Sequence, residues 1–251
     1  MTKFEGKTAI VTGGGRDIGK AISMALARGG ARVAINYFGD QKAATETHNE
    51  IVGAGGEAIL FKGDMTKQDD VIRLIGAAQE AFGKNIDILV NVAGGLIARK
   101  RLEEMDEEFF SAVVRLNLNS AFLTCKHATP HMRAGAAIVN LASQAGRDGG
   151  GPGASAYATG KGAVMTFTRA MAKELGPRGI RVNAVCPGMI ATTFHDTFSK
   201  DEARKNVAAA TPLRREGRAE EVADLVSYLA SEDASFINGA CIDINGGLLF
   251  S

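Results

Sequence analysis

Short β-branched runs alternate with longer stretches of helical periodicity along the whole chain. Thr8–Val11, Ala31–Tyr37, Ala58–Phe61, Ile86–Asn91, Ala136–Leu141, Ile180–Cys186 and Ala240–Ile244 have the apolar, β-branched character of buried strands. Between them, residues 17–28, 40–54, 67–82, 106–133, 155–176 and 219–230 carry the spacing of amphipathic helices. Strands that alternate with helices in this way build βαβ units. The pattern therefore predicts an α/β fold of Rossmann type: a doubly wound parallel sheet of about seven strands with helices on both faces. A chain of 251 residues suits one domain, 1–251, and no repeat or linker divides it. Gly149–Gly153 is the segment richest in breakers, and it is too short to serve as a linker between domains.

The catalytic segment is expected at 139–175, where a strand ending at Ser143 passes through a glycine-crowded loop into a helix carrying Tyr157 and Lys161. Four residues apart, these two lie one above the other on a helix, and the same row continues through Val164, Thr168, Met171 and Leu175. A lysine heading an apolar stripe is costly unless its ammonium finds a partner. An ammonium held near a phenol would lower the phenol's pKa and fit it for proton exchange with a hydroxyl or carbonyl; an ordinary helix would let the lysine snorkel to solvent. The pair alone does not decide between these.

Other segments add a binding site. The first strand runs into Thr12-Gly13-Gly14-Gly15-Arg16-Asp17-Ile18-Gly19 and then a helix, the arrangement that offers free N–H groups to a diphosphate. Asp17 is the discordant residue: a good helix N-cap, but a carboxylate that would repel phosphate. At the end of the second strand stand Asn36 and Tyr37, where an acidic residue would hold an adenosine ribose. Their neutrality, with Arg16 nearby, favours NADPH/NADP over NADH/NAD, although Asn36 equally suits a strand-end turn. Asp64, followed by Met65, is placed either to take the adenine amino group or to cap the next helix. Asn91-Val92-Ala93-Gly94-Gly95 ends the fourth strand with small residues that admit a flat ring or ribose. Arg99, Lys100 and Arg101 read as a solvated patch. In the helix at 106–133, Phe109, Phe110, Val113 and Leu116 are expected in the core, with Asn117 interrupting their inward register.

Composition narrows the classes. A net charge of +1 gives no electrostatic case for nucleic acid or an anionic membrane, and no apolar run approaches the ~18 residues of a membrane span. Cys125, Cys186 and Cys241 are odd in number and far apart, which suits reduced thiols in a cytoplasmic protein and no metal site.

Taken together, the motifs resemble the short-chain dehydrogenase/reductase family over nearly the whole chain. Thr12, Gly13 and Gly19 match its glycine turn, with Asp17 in place of the middle glycine; Asn91, Ala93 and Gly94 match its next motif, with Val92 in the second place. The catalytic tetrad corresponds to Asn117, Ser143, Tyr157 and Lys161, the Pro-Gly element after strand six to Pro187 and Gly188, and the family's next threonine to Thr192. The resemblance implies an NAD(P)(H)-dependent oxidoreductase that moves a hydride between nicotinamide and a carbonyl or secondary alcohol. Tyr157 would be its acid or base, Ser143 would hold the substrate oxygen, and Lys161 would lower the Tyr157 pKa and bind the nicotinamide ribose. Asn117 would position a water. The cofactor contacts would come from Gly13, Gly15, Arg16, Ile18, Gly19, Asn36, Tyr37, Asp64, Met65, Asn91, Ala93, Gly94, Tyr157, Lys161, Pro187, Gly188, Ile190 and Thr192. A substrate lid is expected at about 191–207, and the family implies a homotetramer.

Substrate remains open at this level. The family likeness is to 3-oxoacyl-acyl-carrier-protein reductases and to sugar or polyol dehydrogenases. An acyl-carrier-protein-bound substrate would ask for a cationic patch, for which Arg133 and Arg178 are the candidates. Arg147 and Asp148 could instead line a pocket for a small polar carbonyl. A function of another class, a non-catalytic dinucleotide-binding redox sensor, is the reading that Asp17 and Val92 would favour.

Overall fold

A computed structural model describes residues 3–251. The elements run β1 (Thr8–Thr12), α1 (Asp17–Arg28), β2 (Arg32–Tyr37), α2 (Gln41–Gly53), β3 (Ala58–Lys62), α3 (Gln68–Phe82), β4 (Ile88–Asn91), α4 (Glu107–Val114), α5 (Ser120–Ala128), β5 (Ala137–Leu141), α6 (Ala145–Asp148), α7 (Ser155–Leu175), β6 (Arg181–Pro187), α8 (Thr193–Phe198), α9 (Asp201–Ala210), α10 (Ala219–Ala230) and β7 (Cys241–Ile244). All seven expected strands are present. They form one parallel sheet in the order β3-β2-β1-β4-β5-β6-β7.

Side chains alternate between the two faces of each strand, and both faces are apolar. Ala9 and Val11 of β1, Val33 and Ile35 of β2 and Ile88 and Val90 of β4 join the core that also takes Ile22 and Leu26 of α1 and Val226 and Leu229 of α10. Ile10, Ala34 and Leu89, one position out of phase, face Leu74 of α3, Cys125 of α5 and Leu175 of α7. That phase is why the strands read as continuous apolar runs. The strand order reverses at β1, so a crevice opens at the carboxyl ends of β1 and β4.

The helix expected over 106–133 is broken in two. Ser120 N–H bonds the Arg115 carbonyl, five residues back, so Arg115–Asn119 forms one π-helical turn between α4 and α5. The cause is Asn117: its Nδ2 donates to Val113 O at 2.8 Å and takes an acceptor that a regular helix would give to a backbone N–H. The expected core of this segment is also corrected. Val113 is fully buried, but Phe110 is exposed and Phe109 lies under the Lys100 ammonium.

A chain of buried polar side chains crosses the sheet beneath the crevice. Thr124 Oγ1 donates to Asn91 Oδ1 (2.6 Å), Asn91 Nδ2 to Asn140 Oδ1 (2.8 Å), and Asn140 Nδ2 to Thr168 Oγ1 (2.9 Å). It joins α5, β4, β5 and α7, the elements that carry the chemistry. Asn140→Leu keeps the branched shape but removes the hydrogen bonds to Asn91 and Thr168, so we expect a loss of about 2–4 kcal/mol in unfolding free energy by urea titration, with the m-value unchanged.

Candidate active site

The glycine turn is held from three sides. Thr12 Oγ1 accepts from the Val92 and Ala93 N–H groups, both at 3.1 Å, and so fixes the ends of β1 and β4 together. Gly13 sits at φ 62°, and a Cβ on Gly19 would lie 2.0 Å from Gly13 O. Only glycine allows that approach, which leaves the first N–H groups of α1 facing the crevice. Asn36 completes the support: its Oδ1 accepts from Gly13 N (3.1 Å) and its Nδ2 donates to Gly63 O (2.9 Å).

Helix α7 sets Tyr157 and Lys161 in one row, as their spacing requires. Lys161 is only 5% exposed, and its Nζ donates to Leu141 O at 2.6 Å, where β5 ends. Ser143 follows two residues later; its Oγ accepts from Ala145 N (3.2 Å) and shares a hydrogen bond with Tyr157. Asn117 stands behind Lys161, its Oδ1 accepting from Gly95 N (3.1 Å) and its Nδ2 donating to Gly95 O (2.8 Å). A Cβ on Gly94 would come within 2.7 Å of Asn117 Oδ1 and 3.1 Å of Lys161 Nζ, so the bare backbone there keeps this corner open.

The electrostatics differ from expectation. Burial pushes the Tyr157 phenol above its ordinary value, with the Ser143 hydrogen bond partly offsetting the rise. Lys161 Nζ stands 5.8 Å from the Tyr157 ring centre and is turned to the Leu141 carbonyl. Desolvation therefore sets the direction for the phenol, and it also pushes the Lys161 ammonium down to about 8. The pair as it stands is a phenol beside an ammonium, a proton donor at neutral pH.

These groups open on a cleft of about 1,780 Å³ at the carboxyl ends of the strands, large enough for a dinucleotide and a second molecule together. Gly13, Gly15, Arg16, Ile18, Gly19, Asn36, Tyr37, Asp64, Met65, Ala93, Gly94, Ser143, Tyr157, Lys161, Pro187, Gly188, Ile190 and Thr192 all border it. Several expected roles change. Asn91 lies below the cleft, its amide spent on Asn140 and Cys125. The Asn36 amide is turned inward, as a strand-end residue would be, and the Met65 side chain packs into the core. Asp64 Oδ1 accepts from Thr66 N (2.9 Å) and Thr66 Oγ1 (2.7 Å), bracing the turn before α3. Arg147 leaves the cleft to pair with Asp243 at 2.6 Å. Arg99 is no free surface cation: it donates to Phe198 O (2.8 Å) and Pro152 O (3.0 Å). Arg178 donates to Thr129 O (2.6 Å), away from any substrate path.

The residues missed from sequence lie on α8. Phe194 packs 5.8 Å from the Tyr157 ring and 5.1 Å from Phe198, and His195 borders the same space. Their spacing of four was a helical signal, hidden because the segment is only six residues long. Among the described residues no His/Cys/Asp/Glu cluster could hold a metal, and no helix is long and apolar enough to cross a membrane.

A doubly wound sheet with a glycine turn at its switch point and a Ser–Tyr–Lys set beside it defines a dinucleotide-dependent oxidoreductase. Residues 13–249 match the family model described as enoyl-(acyl carrier protein) reductase. The chain is 37% identical over 254 residues to the hydroxynaphthalene reductase-like protein Arp2 of Metarhizium majus, covering 96% of this chain and 94% of that one. A dehydrogenase/reductase from Sinorhizobium meliloti superposes with a TM-score of 0.92 at 35% identity, over 98% of this chain and 96% of the other. A short-chain dehydrogenase from Burkholderia cenocepacia, solved in complex with NADP, gives 0.91 at 33% identity, over 98% and 99%. The chain belongs to the short-chain dehydrogenase/reductase family. It is an oxidoreductase acting on CH–OH and C=O groups.

The buried lysine makes stability depend on pH in a definite direction. Its pKa is about 8 in the folded chain against 10.5 as the ordinary value, so between these limits the unfolded chain binds more protons and stability rises with pH. The penalty is complete below pH 8 and gone above 10.5, and it amounts to about 3 kcal/mol. Urea titrations at pH 7.5 and 10 should show the protein gaining on Lys161→Met by that order across the interval; a parallel response of the two would count against a desolvated ammonium.

Proposed function

We propose that this enzyme is an NADPH-dependent reductase of planar, largely apolar carbonyl compounds. The observation that carries the proposal is the wall formed by Phe194 and Phe198 over Tyr157, with Ser143 hydrogen-bonded to the phenol beneath. Flat apolar rings stack on such a surface. The name of the Metarhizium relative, hydroxynaphthalene reductase-like, agrees with a substrate of this class. A sugar or polyol would want more uncommitted polar groups than this wall offers. A carrier-protein-bound 3-oxoacyl thioester, the second reading, would need a cationic patch beside the cleft, which neither Arg133 nor Arg178 borders.

The glycine turn, the crevice at the strand ends and the open corner at Gly94 fit a nicotinamide dinucleotide, which when bound supplies the hydride. Gly13, Gly15, Ile18 and Gly19 would hold its diphosphate, Lys161 its nicotinamide ribose, and Pro187, Gly188, Ile190 and Thr192 the nicotinamide end. Arg16, exposed at the turn, and Tyr37, with no carboxylate at the end of β2, favour the phosphorylated cofactor. Asp40, three residues past the end of β2, is occupied in capping α2 through Ala43 N (3.0 Å). Ser143 polarises the substrate carbonyl, and Tyr157, kept protonated by its surroundings, donates the proton to the oxygen as charge develops. Lys161 and Asn117 stand behind it to replace that proton. Helices α8 and α9 form the lid. Exposed Phe110 and Phe122 on α4 and α5, with Phe236 and Phe250 near β7, supply apolar surface for a homotetramer, and three free cysteines suit the cytoplasm.

NADPH oxidation with bicyclic aryl ketones, 3-oxoacyl thioesters and sugars tests the reading, with the aryl ketones expected to turn over fastest. Tyr157→Phe should lower kcat by about 10²–10⁴ while dinucleotide binding stays, and Phe194→Ala should raise KM for the ketone. Tight NADPH binding with no turnover of any carbonyl would point to the redox sensor instead. NADPH should bind about tenfold more tightly than NADH, a margin that Arg16→Ala should remove in calorimetry.

A further inference from the structure

Asp17 has a conformation and a set of partners that dinucleotide binding does not explain. Its φ is 51°, in the left-handed region where glycine is at ease and where aspartate is one of the few other residues tolerated. A carboxylate at the head of α1 also opposes any diphosphate there. Expected as a cap for its own helix, Asp17 instead turns outward to a different one. Its Oδ1 accepts from Thr193 N at 3.0 Å and its Oδ2 from Thr193 Oγ1 at 2.5 Å. Arg16 Nη1 donates to the same Thr193 Oγ1 at 3.0 Å.

Thr193 is the first residue of α8, and the residue before it, Thr192, makes no capping hydrogen bond with its side chain. Six residues cannot sustain a helix by themselves. The cap is supplied from a distant segment of the chain. At the other end of α8, Arg99 donates to the Phe198 carbonyl, a C-terminal acceptor of that helix. Between these two fixed points lie Phe194 and Phe198, the aromatic wall of the substrate space.

We infer that Asp17 is a positioning residue for the lid: it pins the N-terminus of α8 to the dinucleotide turn and so holds the aromatic wall in register with Tyr157. Its role for the substrate rests on the reading of α8 as the lid; the pinning itself does not. The carboxylate is retained at the turn for its grip on Thr193, against the interest of diphosphate binding.

Amide hydrogen exchange on the whole protein without dinucleotide tests the pin, and calorimetry with NADPH tests the charge. Asp17→Gly suits the backbone angle and should fold at least as well as the parent, which a thermal melt verifies. Exchange at 193–198 should then quicken roughly fivefold, as for a lost helix cap, while α1 and α10 are unaffected. Asp17→Asn keeps an acceptor for Thr193 N and tolerates the same φ, so it should restore most of the protection. Both variants should bind NADPH several-fold more tightly. Unchanged exchange in Asp17→Gly, or loosening by Asp17→Asn to the same extent, would overturn the pin. Weaker NADPH binding by Asp17→Asn would assign the carboxylate to the cofactor and overturn the inference. The exchange arm stands or falls whether or not any carbonyl is turned over.

Discussion

A buried ammonium needs a partner, and in this chain the partner is a single backbone carbonyl. Lys161 reaches Leu141 O at the point where β5 gives way to the loop bearing Ser143. One contact thus sets the distance between the helix that carries the phenol and the strand that carries the serine. Around it, Asn117 and Gly94 close the space from the side of β4, and the buried amide chain from Thr124 to Thr168 holds the same four elements from below. The side chains from Thr124 to Thr168 are each paired, which lets them specify one arrangement in an otherwise apolar interior.

That arrangement alters what the two ionisable groups are. In water a lysine beside a tyrosine would be expected to draw the phenol toward its anion. Here neither is in water, and both lose the charged form they would have preferred: the phenol shifts up and the ammonium down. The hydrogen bond from Ser143 is the one influence on Tyr157 that acts in the other direction. A proton donor made by desolvation suits the reductive sense of the chemistry, where the oxygen receives its proton as negative charge appears.

The fold was legible because its signals are redundant. The five inner strands, buried on both faces, leave unbroken apolar runs, the edge strands β3 and β7 leave half-buried ones, and helices such as Asp17–Arg28 and Ala219–Ala230 show their stripes plainly. Spacing and motif order single out Tyr157, Lys161, Ser143 and Asn117, side chains that the structure brings to one corner. Residues whose side chains turn away from the feature beside them could not be read. Asn36 and Asn91 lie at strand ends facing a cleft, yet both amides point inward to hold backbone and buried partners. Asp17 sits in the glycine turn but serves a helix more than 170 residues on. Arg147 and Arg99 read as pocket and surface, whereas each is spent on a tertiary tie. Long-range pairings of this kind have no local pattern to betray them.

The π-helical turn at Arg115–Asn119 also fixes a phase. The Ser120 to Arg115 hydrogen bond spans five residues where a regular helix spans four, so the turn absorbs one extra residue before α5 begins. Thr124 meets Asn91 in the phase that results. Straightening the turn at unchanged length would rotate Thr124 by about 100° off the buried chain, while Asn117 lost its hold on Val113 O. The widened turn is therefore as necessary to the interior as the side chains that meet there. A chain one residue shorter here would reach the same interior with a regular helix; a chain of this length reaches it through the widened turn.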